Sequence, residues 1–213
     1  MSTISAGTAS NTAYIVSADT TGDLVLSPTN YLSATTKSLG TGRVPAEQFY
    51  RLDSTLSGAN ATGAQSFLGV GVTLTGSTVY QFEAVIAMNK TAGGTSYIMS
   101  AVFGGTATLN NINYSLSVTA DTASYLPVAG PTGIYQLYVQ TATAAIRPAS
   151  SATALYLQLV FKGTVSVNAG GTFIPQYSLS AAPGGAFTVQ QGSYFKISPL
   201  AASGANVNIG TWA

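Results

Sequence analysis

The sequence predicts an all-β protein, a β-sandwich of jelly-roll type preceded by an extended amino-terminal arm. Three observations carry this. The 213 residues include 24 Ser, 28 Thr and 23 Gly against two Glu and four Lys, a composition that favours turns and pleated chain over helix interiors. Apolar residues alternate with a period of two, and almost nowhere recur at three and four for more than two turns. Turn signals punctuate the chain roughly every 8–15 residues, the rhythm of a sandwich or barrel and not of alternating β and α units.

Taken in order, residues 14–16 and 23–27 are short strand candidates, and their apolar groups, Tyr14-Ile15-Val16 and Leu24-Val25-Leu26, stand in a Ser/Thr/Gly background too polar to build a core. Residues 1–42 are therefore expected to form an arm that needs another surface for order. Residues 43–213, about 170 in number, are the size of one domain. Within it, strands are expected at 48–52 and 67–74. Next comes a strand at 80–88, with Tyr80, Phe82, Ala84, Ile86 and Met88 on one face and Gln81 and Glu83 on the other. Residues 95–103 repeat the pattern through Tyr97, Met99, Ala101 and Phe103, and Lys90-Thr91-Ala92-Gly93-Gly94 between them reads as a hairpin turn. Strands at 112–119 and 135–139 follow, with a short helix at 142–146. Leu155, Leu157, Leu159 and Phe161 mark the clearest core strand, and 164–167, 173–179 and 194–197 complete the set. Pro175 cannot donate to a ladder, so 173–179 is expected at an edge or a bulge. Twelve Tyr and eight Phe placed in these alternating segments argue against disorder.

Charge is scarce: Lys+Arg 7, Asp+Glu 6, no His and no Cys, with a net charge of +1. Without His or Cys there is no triad hydrolase, thiol enzyme, zinc site or haem with such ligands. No metal or other cofactor is expected. Clustered Lys/Arg for phosphates is lacking, so neither nucleic acid nor an anionic membrane is an expected partner. Hydrophobic content is 46% with a mean hydropathy of +0.31, but the apolar runs are far shorter than the ~20 residues of a spanning helix. The opening Met1-Ser2-Thr3-Ile4-Ser5 has no basic segment followed by an apolar stretch, so no export is expected.

Paired carboxylates are the one enzymatic device left, but Asp19, Asp23, Glu47, Asp53, Glu83 and Asp121 are scattered. Asp19 to Asp23 lacks the alternate ligands of a calcium loop. The glycosylation-like triplets at Asn60, Asn89 and Asn113 are expected by chance in so Ser/Thr-rich a chain. Gly69-Val70-Gly71 has no helix start beyond it to hold a phosphate. Four charges lie close together, Arg43, Glu47, Arg51 and Asp53, the last three on one face of a strand at 48–52. They read either as ion pairs at a subunit boundary or as a solvated edge that discourages aggregation. Trp212, the single Trp, closes its own domain's core or docks into a neighbouring chain. The tyrosines read as core residues or, less simply, as sugar-stacking platforms.

The words of the sequence add a resemblance. Met1-Ser-Thr-Ile-Ser-Ala-Gly7, Ser17-Ala-Asp-Thr-Thr-Gly-Asp-Leu-Val-Leu26, Val44-Pro-Ala-Glu-Gln-Phe-Tyr-Arg-Leu52 and Ala61-Thr-Gly-Ala-Gln-Ser-Phe-Leu-Gly-Val-Gly-Val-Thr-Leu74 are similar to structural proteins of tailed-bacteriophage virions. So are Phe103-Gly-Gly-Thr-Ala-Thr-Leu-Asn-Asn111, Gly192-Ser-Tyr-Phe-Lys-Ile197 and Ile209-Gly-Thr-Trp212. The resemblance implies a non-enzymatic virion protein assembled in the host cytoplasm. Its form would be a capsid cement or decoration protein that bridges neighbouring capsomers as a homotrimer, with itself and the major capsid protein as partners. The alternative it implies is a tail-fibre or spike module that binds a host-surface receptor or glycan. It brings no catalytic motif.

Overall fold

The computed structural model describes residues 47–122 and 133–204. They form thirteen strands: β1 (Gln48–Arg51), β2 (Leu56–Ser57), β3 (Gly63–Ser66), β4 (Val72–Leu74), β5 (Thr78–Lys90), β6 (Tyr97–Gly104), β7 (Thr108–Asp121), β8 (Gly133–Val139), β9 (Thr143–Ser150), β10 (Leu155–Ala169), β11 (Gly171–Leu179), β12 (Thr188–Val189) and β13 (Tyr194–Ala202). All pairings are antiparallel. One sheet runs β1-β13-β5-β10-β7-β8, with β12 and β2 attached beside β5. The other runs β3-β11-β6-β9, with β4 also on β11.

The expected sandwich is thus what forms, and its connectivity is that of a jelly roll. With β3 and β4 counted as one interrupted strand, β1-β13-β5-β10 face β3/β4-β11-β6-β9, and the chain changes sheet at most connections. The β7–β8 pair is an addition that widens the first sheet beyond this eight-strand pattern.

Alternation explains the core. The inner residues of β5, Tyr80, Phe82, Ala84, Ile86 and Met88, are buried, as are Leu155, Leu157, Leu159 and Phe161 of β10 and Ile112, Tyr114, Leu116 and Val118 of β7. Aromatic rings join the sheets: Phe103 of β6 stacks on Phe173 of β11 at 5.1 Å and meets Phe82 and Tyr114 of the opposite sheet at 5.2 Å each. Phe67 continues the cluster, 5.4 Å from Tyr177 and 6.0 Å from Phe161. Such pairs add about 0.5–1.5 kcal/mol each beyond the area they bury.

Several local expectations are corrected. The segments at 80–88 and 95–103 are not a hairpin: β5 pairs with β10, β13 and β12, whereas β6 lies in the other sheet between β11 and β9. Both strands carry a mainly apolar face, and stacking those faces across the sandwich buries more than laying them side by side. Lys90 is not a turn residue but the last residue of β5, 1% exposed. Its ammonium has four carbonyls within hydrogen-bond reach, those of Ala92 (3.2 Å), Gly93 (2.6 Å), Ala152 (2.6 Å) and Thr153 (3.2 Å), which share its three N–H groups, so it ties the crossover loop to the approach of β10. Burial holds this amine below the usual lysine range. Gly93 and Gly184 both have positive φ (77° and 84°) and touch backbone to backbone, where a Cβ would overlap the partner chain segment.

The helix expected at 142–146 is instead the start of β9, because hydrogen bonding to β6 outweighs the helical preference of its alanines. Residues 67–71 turn before β4 begins, and 155–169 form one strand where two were expected. Pro175 is interior in strand order, between β6 and the β3/β4 side. Its carbonyl accepts from Phe67 N–H at 3.1 Å on that second side, in the gap between the β4 and β3 ladders. Since a strand residue's N–H and C=O point the same way, the missing donor falls in the gap and no ladder bond to β6 is lost.

Candidate functional site

No group of three or more Asp and Glu that could hold a metal ion exists among the described residues. The surface feature that the strands do build is the outer face of the wide sheet. Register fixes its rows. One row carries Phe49, Lys196, Glu83, Lys162, Ser115 and Tyr138 across β1, β13, β5, β10, β7 and β8. The next carries Arg51, Tyr194, Val85, Val160, Ser117 and Gln136, and a third Ala87, Gln158, Thr119 and Ile134. Ser115, Ser117, Gln136, Tyr138, Val160 and Lys162 border a depression of about 480 Å³. Tyr138 and Ile134 are 70% and 65% exposed, Phe49 56%. The face is broad and mostly uncharged, and such groups are less costly to strip of water than ionised ones.

Its charges are ordered. Tyr194 donates from its hydroxyl to Glu83 Oε1 at 2.9 Å, and Lys196 Nζ lies 3.6 Å from Glu83 Oε2. The Tyr194 hydrogen bond, helped by the Lys196 and Lys162 ammonium groups, holds the Glu83 carboxyl below its usual range against the opposing effect of burial. The same bond pushes the Tyr194 hydroxyl up. A proton donor to a leaving group needs the opposite shift, so Glu83 is built as a fixed anion within a lysine row.

A second feature is a cleft of about 320 Å³ where β1 approaches β4 and β11. Phe49, Tyr50, Leu68, Val70, Pro175 and Phe195 line it, with Tyr50 and Val70 partly open to solvent. Phe49 packs on Tyr194 at 5.5 Å, which joins the cleft's rim to the outer face.

Of the residues singled out by sequence, Arg51 and Asp53 do meet: the Arg51 guanidinium donates to the Asp53 carboxylate. Arg51 ends β1 and Asp53 lies in the bend beyond it, both well exposed. An ion pair so placed contributes only about 0–1 kcal/mol. Glu47 stands exposed before the other end of β1. Arg43 and Trp212 lie outside the described residues, as do the arm at 1–42, Asp19 and Asp23. Sequence reasoning missed the Glu83 row and treated Glu83 as one scattered acid. Its place on the polar side of an alternating strand was the available signal, but the lysines beside it are more than 70 residues away in sequence.

No protein-family model matches the chain, and no curated protein is similar to it in sequence. Among solved structures, the chain has a likeness to that of infectious bursal disease virus, Gx strain, at 11% identity over 84% of this chain and 45% of that one, with a TM-score of 0.20. A second is to the Gt strain of the same virus, at 12% identity over 92% of this chain and 49% of that one, with a TM-score of 0.10. The chain spans about half the length of these structures. At such scores neither likeness carries an argument about fold or role.

Proposed function

We propose that the protein is a non-enzymatic structural component of a tailed-bacteriophage virion, a cement or decoration protein that bridges neighbouring capsomers as a homotrimer. The observation that carries this reading is the broad outer face of the wide sheet, which bears few charges, the Lys196–Glu83–Lys162 row and Arg51 at its β1 edge, beside exposed Phe49, Ile134 and Tyr138. A cement protein needs a wide contact whose polar groups are easily desolvated, with a few charges to fix register. The motif resemblance of the chain to phage structural proteins supplies the setting, the host-cytoplasm assembly, the major capsid protein as partner and the threefold symmetry. The mechanism is mechanical: many weak contacts, repeated by symmetry, hold a shell together.

A second reading has its own support in the cleft beside Phe49 and Tyr50, since exposed aromatic rings at a pocket rim suit stacking on a sugar. It makes the protein a fibre or spike module that binds a host-surface glycan. Cryo-EM of particles carrying the protein separates the two. Density over the shell between capsomers supports the cement role, and density at the tail tip alone overturns it.

A further inference from the structure

We infer that β8 is a two-fold interface: the open edge of the wide sheet pairs with β8 of a second copy of this chain, antiparallel and centred on Gln136. The inference is independent of the virion reading.

The four outer strands of the sandwich differ in how they discourage edge pairing. β1 has four residues and ends on Arg51, and β3 also has four. β9 carries Arg147 and Pro148 and breaks register twice against β6. Short length, charge, proline and bulges are the usual guards of a sheet edge. β8, Gly133-Ile-Tyr-Gln-Leu-Tyr-Val139, has none: seven residues, no charge, no proline and an unbroken register against β7. Among the described residues no strand pairs with its other side. It also belongs to the pair of strands that the jelly roll does not require.

The hydrogen-bond alternation can be followed across the sheet to this edge. The Ala87 carbonyl accepts from Gln190 N–H at 2.8 Å, so Ala87 points away from β10. Alternation through the unshifted pairs Ala87–Gln158, Gln158–Thr119 and Thr119–Ile134 then directs the N–H and C=O of Ile134, Gln136 and Tyr138 out of the sheet. The residues whose backbone groups pair with no strand among the described residues are therefore the same ones whose side chains stand on the outer face.

Self-complementarity selects the occupant. Ile134 and Tyr138, the two most exposed large apolar residues among those described, lie two residues either side of Gln136. A two-fold axis at Gln136 sets Ile134 of each copy opposite Tyr138 of the other on the same face. It also forms three hydrogen-bonded residue pairs, each exchanging two bonds. An uncharged strand offers nothing to a charged partner, whereas it matches its own reverse.

Two full-length variants and a crosslink test this. Ile134→Lys with Tyr138→Lys places like charges opposite each other across the axis, and Ile134→Lys with Tyr138→Glu places opposite charges there. Sedimentation velocity should show the two-lysine variant associating at least ~10-fold more weakly than the Lys/Glu variant at low salt. Gln136→Cys introduces the sole thiol of the chain, and opposed residues ~5.5 Å apart at Cα lie within disulfide reach. Mild oxidation should yield a covalent dimer, and Thr164→Cys, exposed on the same face but away from the edge, should not. Equal association of the two charge variants, or absence of the Gln136→Cys dimer, would overturn the inference, whatever the particle location turns out to be.

Discussion

The two faces of the wide sheet are made by the same strands and obey different rules. Along β5, β10 and β7 every second residue enters a buried and mainly apolar layer, and the residues between them are mostly Ser, Thr, Gln, Asn and Val, with Glu83 and Lys162 side by side among them. The inner face is fixed by packing against the opposite sheet, where volume and ring geometry leave little latitude. Among the described residues no second sheet packs on the outer face. Its low charge, the β8 edge and the exposed Ile134 and Tyr138 are the features that the proposed contacts with other chains would use.

Alkaline titration should break the contrast most completely. Burial pushes the hydroxyls of Tyr97, Tyr114 and Tyr177 up to about 12 from an ordinary value of 10.0. The unfolded chain loses these protons first, so the stability they contribute is whole below pH 10 and is lost as pH rises toward 12. Circular dichroism and tyrosinate absorbance should change together in that window. Gradual tyrosinate formation in a folded protein would mean that the inner face is wet. The buried Tyr114 hydroxyl has no hydrogen-bond partner among the described residues, so Tyr114→Phe should raise the alkaline midpoint and add about 1 kcal/mol of stability.

Next in size is Phe103→Ala. Its ring is where the two sheets touch, against Phe173, Phe82 and Tyr114, and its loss should lower unfolding free energy by about 3–5 kcal/mol in denaturant titration. A loss below ~1 kcal/mol would show that the sheets can close over the cavity. The smallest effect belongs to the outer face. Glu83→Gln should change stability by less than about 1 kcal/mol, with the difference fading in high salt. A larger or salt-independent loss would mean that the charge row supports the fold.

How much was legible depended on whether the signal was local. The alternation in residues 80–88, 112–119 and 155–161 gives strand and inward face directly, because a period of two leaves only one way to hide the apolar set. The hairpin expected between β5 and β6 failed because neighbouring strands in sequence can pair or stack, and periodicity is the same in both cases. β9 was hidden because alanines near residue 144 favour a helix that only pairing with β6 overrides. Lys90 looked like a turn residue, since nothing in sequence places Ala152 and Thr153 beside it. Of the candidate interface charges, the Arg51–Asp53 pair was readable from spacing of two, whereas the Glu83 row required strands more than 70 residues apart to become neighbours.

The sequence by itself determined that the protein is all-β, that its core faces are aromatic and aliphatic, and that it lacks the His and Cys of most catalytic sites. Those properties follow from composition and from a two-residue period, which each segment carries alone. Only the tertiary structure decided which strand is central and which is an edge, because edge status depends on what lies beside a strand and not on what is in it. That decision turns β8 from one more alternating segment into an edge of the described wide sheet, and sets Glu83 between two lysines on that sheet's outer face.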